Sequence, residues 1–118
     1  MGIEIGDLQY DLVDDQTISD QAAATTFATA SASSVEAPPW GGAATVRIVL
    51  ATTSTLELRV TPSGGSEVTG GLFNDGSTLT AGNGYTFDFT ITAGAKYGFR
   101  VATAQSGDLE LAVSAHRV

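Results

Sequence analysis

The sequence predicts an all-β protein: an antiparallel β-sandwich, jelly-roll or immunoglobulin-like, with an extended N-terminal arm. Three observations carry this. Apolar residues recur at every second position in five segments after residue 44, the signature of strands buried on one face. The breaks between those segments carry turn chemistry. Residues 1–43 alternate only weakly and read as an acidic, Ala/Ser/Thr-rich arm on a body spanning 44–118.

The strands follow in order. Val46, Ile48 and Leu50 share one face of the first. Leu56, Leu58 and Val60 share one face of the second, with Glu57 and Arg59 opposite. Tyr85, Phe87, Phe89 and Ile91 alternate with Thr86, Asp88 and Thr90 in the third. Tyr97, Phe99 and Val101 define the fourth; Leu109, Leu111, Val113 and Ala115 define the fifth. One-sided alternation means that each sheet buries one face. Asp88, Arg100 and Glu110 fall on outward positions of strands expected to be neighbours. Exposed pairs of that kind contribute under ~1 kcal/mol each.

The turns are explicit. Ala51-Thr52-Thr53-Ser54 and Gln105-Ser106-Gly107 separate strands. Pro62-Ser63-Gly64-Gly65 ends one, because proline cannot donate to a ladder. Asn74-Asp75-Gly76 is a tight-turn signal, since these residues tolerate positive φ. Ala93-Gly94-Ala95 is expected to join two aromatic strands as a hairpin.

In the arm, Ile3/Ile5 and Leu8/Tyr10/Leu12 alternate weakly, enough for one strand. Residues 21–35 (QAAATTFATASASSV) bury little apolar area and fit a short helix or an extended segment equally well. Pro38-Pro39-Trp40-Gly41-Gly42 marks the boundary with the body.

At 118 residues the chain is one domain, large enough to fold without disulfide or metal. Its lack of cysteine excludes disulfides, thiol catalysis and cysteine–zinc sites. No apolar run approaches a membrane span, and the N-terminus lacks the pattern of a secretory signal. Synthesis in a cytoplasm is therefore expected, or the chain is a mature fragment. The formal charge of −8 is uneven: residues 1–46 hold seven acids and no Lys or Arg, whereas 47–118 hold six acids and five bases. Such an acidic strip repels nucleic acid.

The search for chemistry points away from an enzyme. His116 is the one histidine, near the C-terminus, and no nucleophile-elbow motif accompanies it. Asp7, Asp11, Asp14 and Asp15 are hard oxygen donors, but EF-hand spacing is absent. The glycine pairs are not followed by Lys-Ser/Thr, so they are not phosphate loops. No catalytic, cofactor or metal site is expected. Tyr10, Phe27 and Trp40 are the candidate interface residues, being the large aromatics of the arm.

Residues 79–101 (LTAGNGYTFDFTITAGAKYGFRV) resemble the last hairpin of small β-sandwich proteins in the structural modules of tailed bacteriophages and archaeal viruses. The shared pattern is L-x-A-G-x-x-Y-x-F-x-φ-x-φ-x-A-G-x-x-φ-x-φ-R, with φ apolar. The resemblance implies a virion structural protein, first a capsid decoration (cement) protein on the capsid surface. Its partners would be the major capsid protein and further copies of itself, such as a trimer, reached through the arm. Tail, neck or spike components are the neighbouring expectation. A carbohydrate- or receptor-binding sandwich is the alternative from another class. It would need exposed aromatics, and Tyr85, Tyr97 and the phenylalanines alternate inward.

Overall fold

The computed structural model describes residues 9–31, 42–92 and 94–117. They form eight strands: β1 (Gln9–Ser19), β2 (Phe27–Ser31), β3 (Gly42–Val49), β4 (Leu56–Thr61), β5 (Val68–Leu72), β6 (Gly84–Ile91), β7 (Lys96–Val101) and β8 (Asp108–Arg117). A 3-10 turn at Asn74–Gly76 precedes β6. Two four-stranded antiparallel sheets result, the first ordered β1-β8-β3-β6 and the second β2-β7-β4-β5. Only β4 and β5, among sequential strands, share a sheet. Every other connection crosses the sandwich, which is the jelly-roll arrangement.

The alternation places the core as expected. Val46, Ile48 and Leu50, Leu56 and Leu58, Tyr97, Phe99 and Val101, and Leu109, Leu111, Val113 and Ala115 are all buried between the sheets. Burying one such side chain contributes roughly 1.5–3 kcal/mol. The Phe89 ring sits 5.7 Å from Tyr97 and 6.1 Å from Phe99.

Those contacts correct the expected hairpin. β6 and β7 lie in different sheets, so the turn between them carries the chain across the core. Their aromatic rows pack face to face, not side by side. Alternation reports which face is buried and says nothing of which edge pairs. For the same reason Asp88, Arg100 and Glu110 are not neighbours. Asp88 accepts a hydrogen bond from the Thr45 hydroxyl (2.6 Å), whereas Arg100 lies in the second sheet and reaches Glu67.

The body also begins earlier than residue 44. β1 pairs with β8 along the first sheet, and β2 pairs with β7 in the second. Residues 9–31 are therefore part of the sandwich, not an arm outside it. Residues 1–8 and 32–41 lie outside the described part. The period-two reading caught only the start of β1, at Tyr10 and Leu12, because its register with β8 shifts twice, between Asp11 and Val13 and between Val13 and Gln16. Each shift turns the following side chains to the other face. Val13 is buried and Ile18 packs on the core, five positions apart. β2 holds no alternating run; Phe27 pairs with Phe99, and Ala28 takes φ 54° at a bulge. Gly98 makes this docking possible. A Cβ there would lie 2.7 Å from Thr26 Cγ2 and 2.9 Å from Thr29 Oγ1.

Two buried polar residues close one end of the sandwich. Gln105 Oε1 accepts the amides of Ala51 and Thr52 (both 2.9 Å), and its Nε2 donates to the carbonyls of Thr52 and Thr103. All four of its hydrogen-bonding positions are used. Ser54 Oγ accepts the amides of Ala102 and Thr103 and donates to the Thr55 carbonyl. Together they tie the β3–β4 connection to the β7–β8 connection.

A repeated turn enters β6 and β7. Thr80-Ala-Gly-Asn-Gly-Tyr85 and Thr92-Ala-Gly-Ala-Lys-Tyr97 share the pattern T-A-G-x-x-Y. In each, the glycine has positive φ (82° and 87°), and the tyrosine hydroxyl accepts the threonine amide (2.8 and 2.7 Å). The two tyrosines thereby brace the turns that precede their own strands.

Candidate functional site

The outer faces of the two sheets carry different chemistry. On the second sheet, Arg59 of β4 donates to Glu57 (2.8 Å) and to Glu67 (3.0 Å), and Arg100 of β7 donates to the same Glu67 oxygen (2.8 Å). The Thr26 hydroxyl also donates to Glu67 (2.7 Å). Hydrogen bonding from Thr69, then from Arg59, holds the Glu57 carboxyl below its ordinary value. Thr26, then Arg59, does the same for Glu67. Hydrogen bonds to the charged form of an acid favour that form. The network joins the segment before β2 and the segment before β5 to the sheet between them. Its polar groups are occupied with one another.

On the first sheet the outward grid is open. Arg47 of β3 lies opposite Thr86 of β6 on one side and Ala112 of β8 on the other. Beyond Ala112 comes the bulged part of β1, with Asp14 and Asp15. Ala112 is small, so the Arg47 side chain crosses above β8 to within 3.6 Å of Asp15 Oδ1. Both side chains stay exposed, 67% for Arg47 and 89% for Asp15. Such a pair is screened by water and contributes little to stability.

Two shallow hollows meet at this pair. One, of about 370 Å³, runs from Asp15, Gln16 and Thr17 over Ala112 to Glu110, Thr86 and Tyr85. The other, of about 330 Å³, is bounded by Asp14, Asp15, Arg47, Ala112 and Ser114. They form an open groove across the strands. Its walls supply carboxylates, a guanidinium, hydroxyls and an amide. Among the described residues, Asp14, Asp15, Asp88, Asp108 and Glu110 stand on this side of the sandwich with one guanidinium, that of Arg47. Tyr85 borders the groove at β6; the Thr80 amide that donates to its hydroxyl pulls its pKa below the ordinary value.

Among the described residues, no three of His, Cys, Asp and Glu come together as a metal-binding group. Of the expected interface residues, Phe27 is turned inward. It is 7% exposed, with its ring 6.2 Å from that of Phe99, because β2 docks on β7. It packs the core of its own chain instead of a seam between chains. Tyr10 belongs to β1, opposite Ala115. Trp40 lies outside the described residues. His116 falls in β8, opposite Gln9 and Ala43. The groove was not anticipated, because it depends on β1, β8 and β3 lying side by side. The repeated T-A-G-x-x-Y was a visible signal for the bracing role of Tyr85 and Tyr97.

No protein-family model matches the sequence, and no curated protein matches it. Among solved structures, the chain is similar to one of Clostridium thermocellum endo-1,4-β-D-xylanase 10B, N-terminal CBM22-1–GH10 modules complexed with xylohexaose. The TM-score is 0.59 at 13% identity, over 95% of this chain and 26% of that one. The chain thus spans about a quarter of the protein it resembles, and the likeness establishes the β-sandwich fold. A second structure, the exo-β-1,3-galactanase of Phanerochaete chrysosporium with β-1,3-galactotriose, has a TM-score of 0.27 at 11% identity, over 87% of this chain and 22% of that one.

Proposed function

We propose that the chain is a non-catalytic binding module whose ligand is a carbohydrate chain lying along the groove of the first sheet. The observation that carries this reading is the exposed Arg47–Asp15 pair over Ala112, where the two hollows meet. Sugar hydroxyls both donate and accept, so a wall of carboxylate, guanidinium, amide and hydroxyl groups suits them. An open groove admits a chain that continues past both ends. The acids of this face disfavour anionic polymers. The shared fold with a chain complexed with xylohexaose supports taking that sugar as the first ligand to test.

The test is calorimetric titration of the full chain with xylohexaose and a panel of neutral oligosaccharides. Arg47→Ala should weaken binding by about tenfold or more, the usual loss for a hydrogen bond to a charged group. Ala112→Trp should fill the groove and abolish binding while leaving the thermal melt unchanged. Absence of binding to any glycan, or binding indifferent to Ala112→Trp, would remove the proposal.

A virion structural subunit is the second reading. It is favoured by the resemblance over residues 79–101 and by the exposed apolar side chains Val68 and Leu72. Co-sedimentation with assembled capsids, with no glycan bound, would select it.

A further inference from the structure

We propose that the outer edge of β6, unpaired among the described residues, is a self-association surface, on which a second copy of this chain pairs its own β6 antiparallel about a two-fold axis. The inference does not depend on what the groove binds.

The two edges of the first sheet are built differently. β1, at one edge, is broken by two register shifts and carries Asp11, Asp14 and Asp15. Bulges and charges are the usual protection of an exposed edge. β6, at the other edge, pairs with β3 over eight consecutive residues without a shift, from Gly84 to Ile91. It has no proline, no Lys or Arg, and a single charge, Asp88. No backbone hydrogen bond reaches its outer edge from the described residues. Tyr85, Phe87 and Phe89 of β6 are half-buried, unlike the buried Tyr97 and Phe99 of β7. Phe73, which directly follows β5, stacks 5.2 Å from Phe87 and so places the edge of the second sheet beside β6. On that neighbouring strand stand Val68 and Leu72, 49% and 52% exposed, the large hydrophobics most open to water among the described residues. Among the described residues, one side of the sandwich is thus unguarded and apolar in both sheets.

A second copy fits this edge by its own sequence. Centring the pair on Phe87 sets Phe87 against the partner's Phe87 and Tyr85 against the partner's Phe89. Thr86 then meets the partner's Asp88, twice by symmetry. The same combination already exists within the chain, where Thr45 faces Asp88 across β3 and β6 and donates to it at 2.6 Å. Asp88 thus meets a hydroxyl on each side and never another Asp88. The arrangement is isologous, as two-fold contacts are, and it extends the first sheet from four strands to eight. It also sets the acidic β1 strands at opposite ends, roughly 34 Å apart at ~4.8 Å per strand. That is several screening lengths at physiological salt, so the acids of β1 oppose association weakly.

The experiment is sedimentation equilibrium of the full chain across micromolar to millimolar concentrations. The wild type should shift from 12.0 kDa toward twice that mass. Thr86→Glu places a carboxylate opposite the partner's Asp88 in both symmetry-related pairs. It should weaken the dimer by roughly tenfold or more while the thermal melt shows a folded monomer. Thr86→Glu combined with Asp88→Lys makes the pairs attractive again and should restore the dimer. A wild type that stays monomeric throughout would overturn the proposal. So would a dimer indifferent to Thr86→Glu. Failure of the double variant to recover would overturn the register centred on Phe87.

Discussion

The two outer faces of the sandwich each carry arginine and acid, and use them oppositely. On the second sheet, Arg59 and Arg100 converge on Glu57 and Glu67 with Thr26 closing the set. These groups are mostly shielded, and they fasten the strands that alternation alone would not hold. On the first sheet, Arg47 and Asp15 stand in water at 3.6 Å with open space on either side. Charged groups bound to each other hold a fold together; charged groups left facing solvent above a small residue are available to a ligand. The proposed ligand is accordingly placed on the first sheet.

The sharpest way to break the fastened face is to fill the notch beneath it. Gly98→Val puts methyls where Thr26, Thr29 and the Phe27 carbonyl (3.2 Å from a Cβ) already sit. β2 would have to lift from β7, and Phe27 would leave the core with it. Overpacking of this kind costs about 2–3 kcal/mol, read from urea unfolding. Adding Thr26→Ser, which removes the nearest methyl and keeps the hydroxyl to Glu67, should recover part of the loss. A Gly98→Val protein as stable as the wild type would mean that β2 does not dock as described.

That notch also shows what the sequence could not say. β3, β4, β6, β7 and β8 were legible because each keeps a strict inward row and runs without a bulge at its core positions. The tight turn at 74–76 was legible too: Asn74, Asp75 and Gly76 all take positive φ. β2, β5 and the part of β1 beyond Leu12 were not. Two bulges scramble the faces of β1. β2 is positioned by a glycine seventy residues further on. β5 (VTGGL) holds no alternating apolar run, and Gly70 is needed because a Cβ would lie 2.8 Å from Leu58 Cδ2. Pairing was hidden for a topological reason. When nearly every connection crosses between sheets, strands next to each other in sequence are not partners in space. The groove inherits that difficulty, since Asp15, Ala112 and Arg47 come from three distant segments.

Acid separates the two faces next. Glu57 and Glu67 titrate below their ordinary value of 4.5. A carboxyl whose pKa is depressed by folding stabilises the native state above its unfolded pKa, and that contribution is lost as pH falls through the depressed value. The melting temperature should therefore drop between pH ~5 and ~3. Glu67→Gln should start lower and fall less steeply over that interval. Parallel curves for the two proteins would show that Glu67 gains nothing from Thr26, Arg59 and Arg100.

The smallest effect is the most telling about function. Arg47→Ala removes a guanidinium that touches one exposed carboxylate across 3.6 Å of solvated surface. Stability should change by no more than about 0.5 kcal/mol, the usual range for a surface position without structural partners. Arg59→Ala should lower the urea midpoint clearly more, because it leaves Glu57 with the hydrogen bond from Thr69 alone and removes one of the two cations on Glu67. The ordering matters more than either value. If Arg47→Ala proved as damaging as Arg59→Ala, Arg47 would be fastening β1 to β3 across Ala112. The first sheet would then be a second clamp, and the groove a by-product of it. If Arg47 can be removed at no cost to the fold, its guanidinium is not needed to hold β1 against β3 and is free for the contact proposed with a ligand.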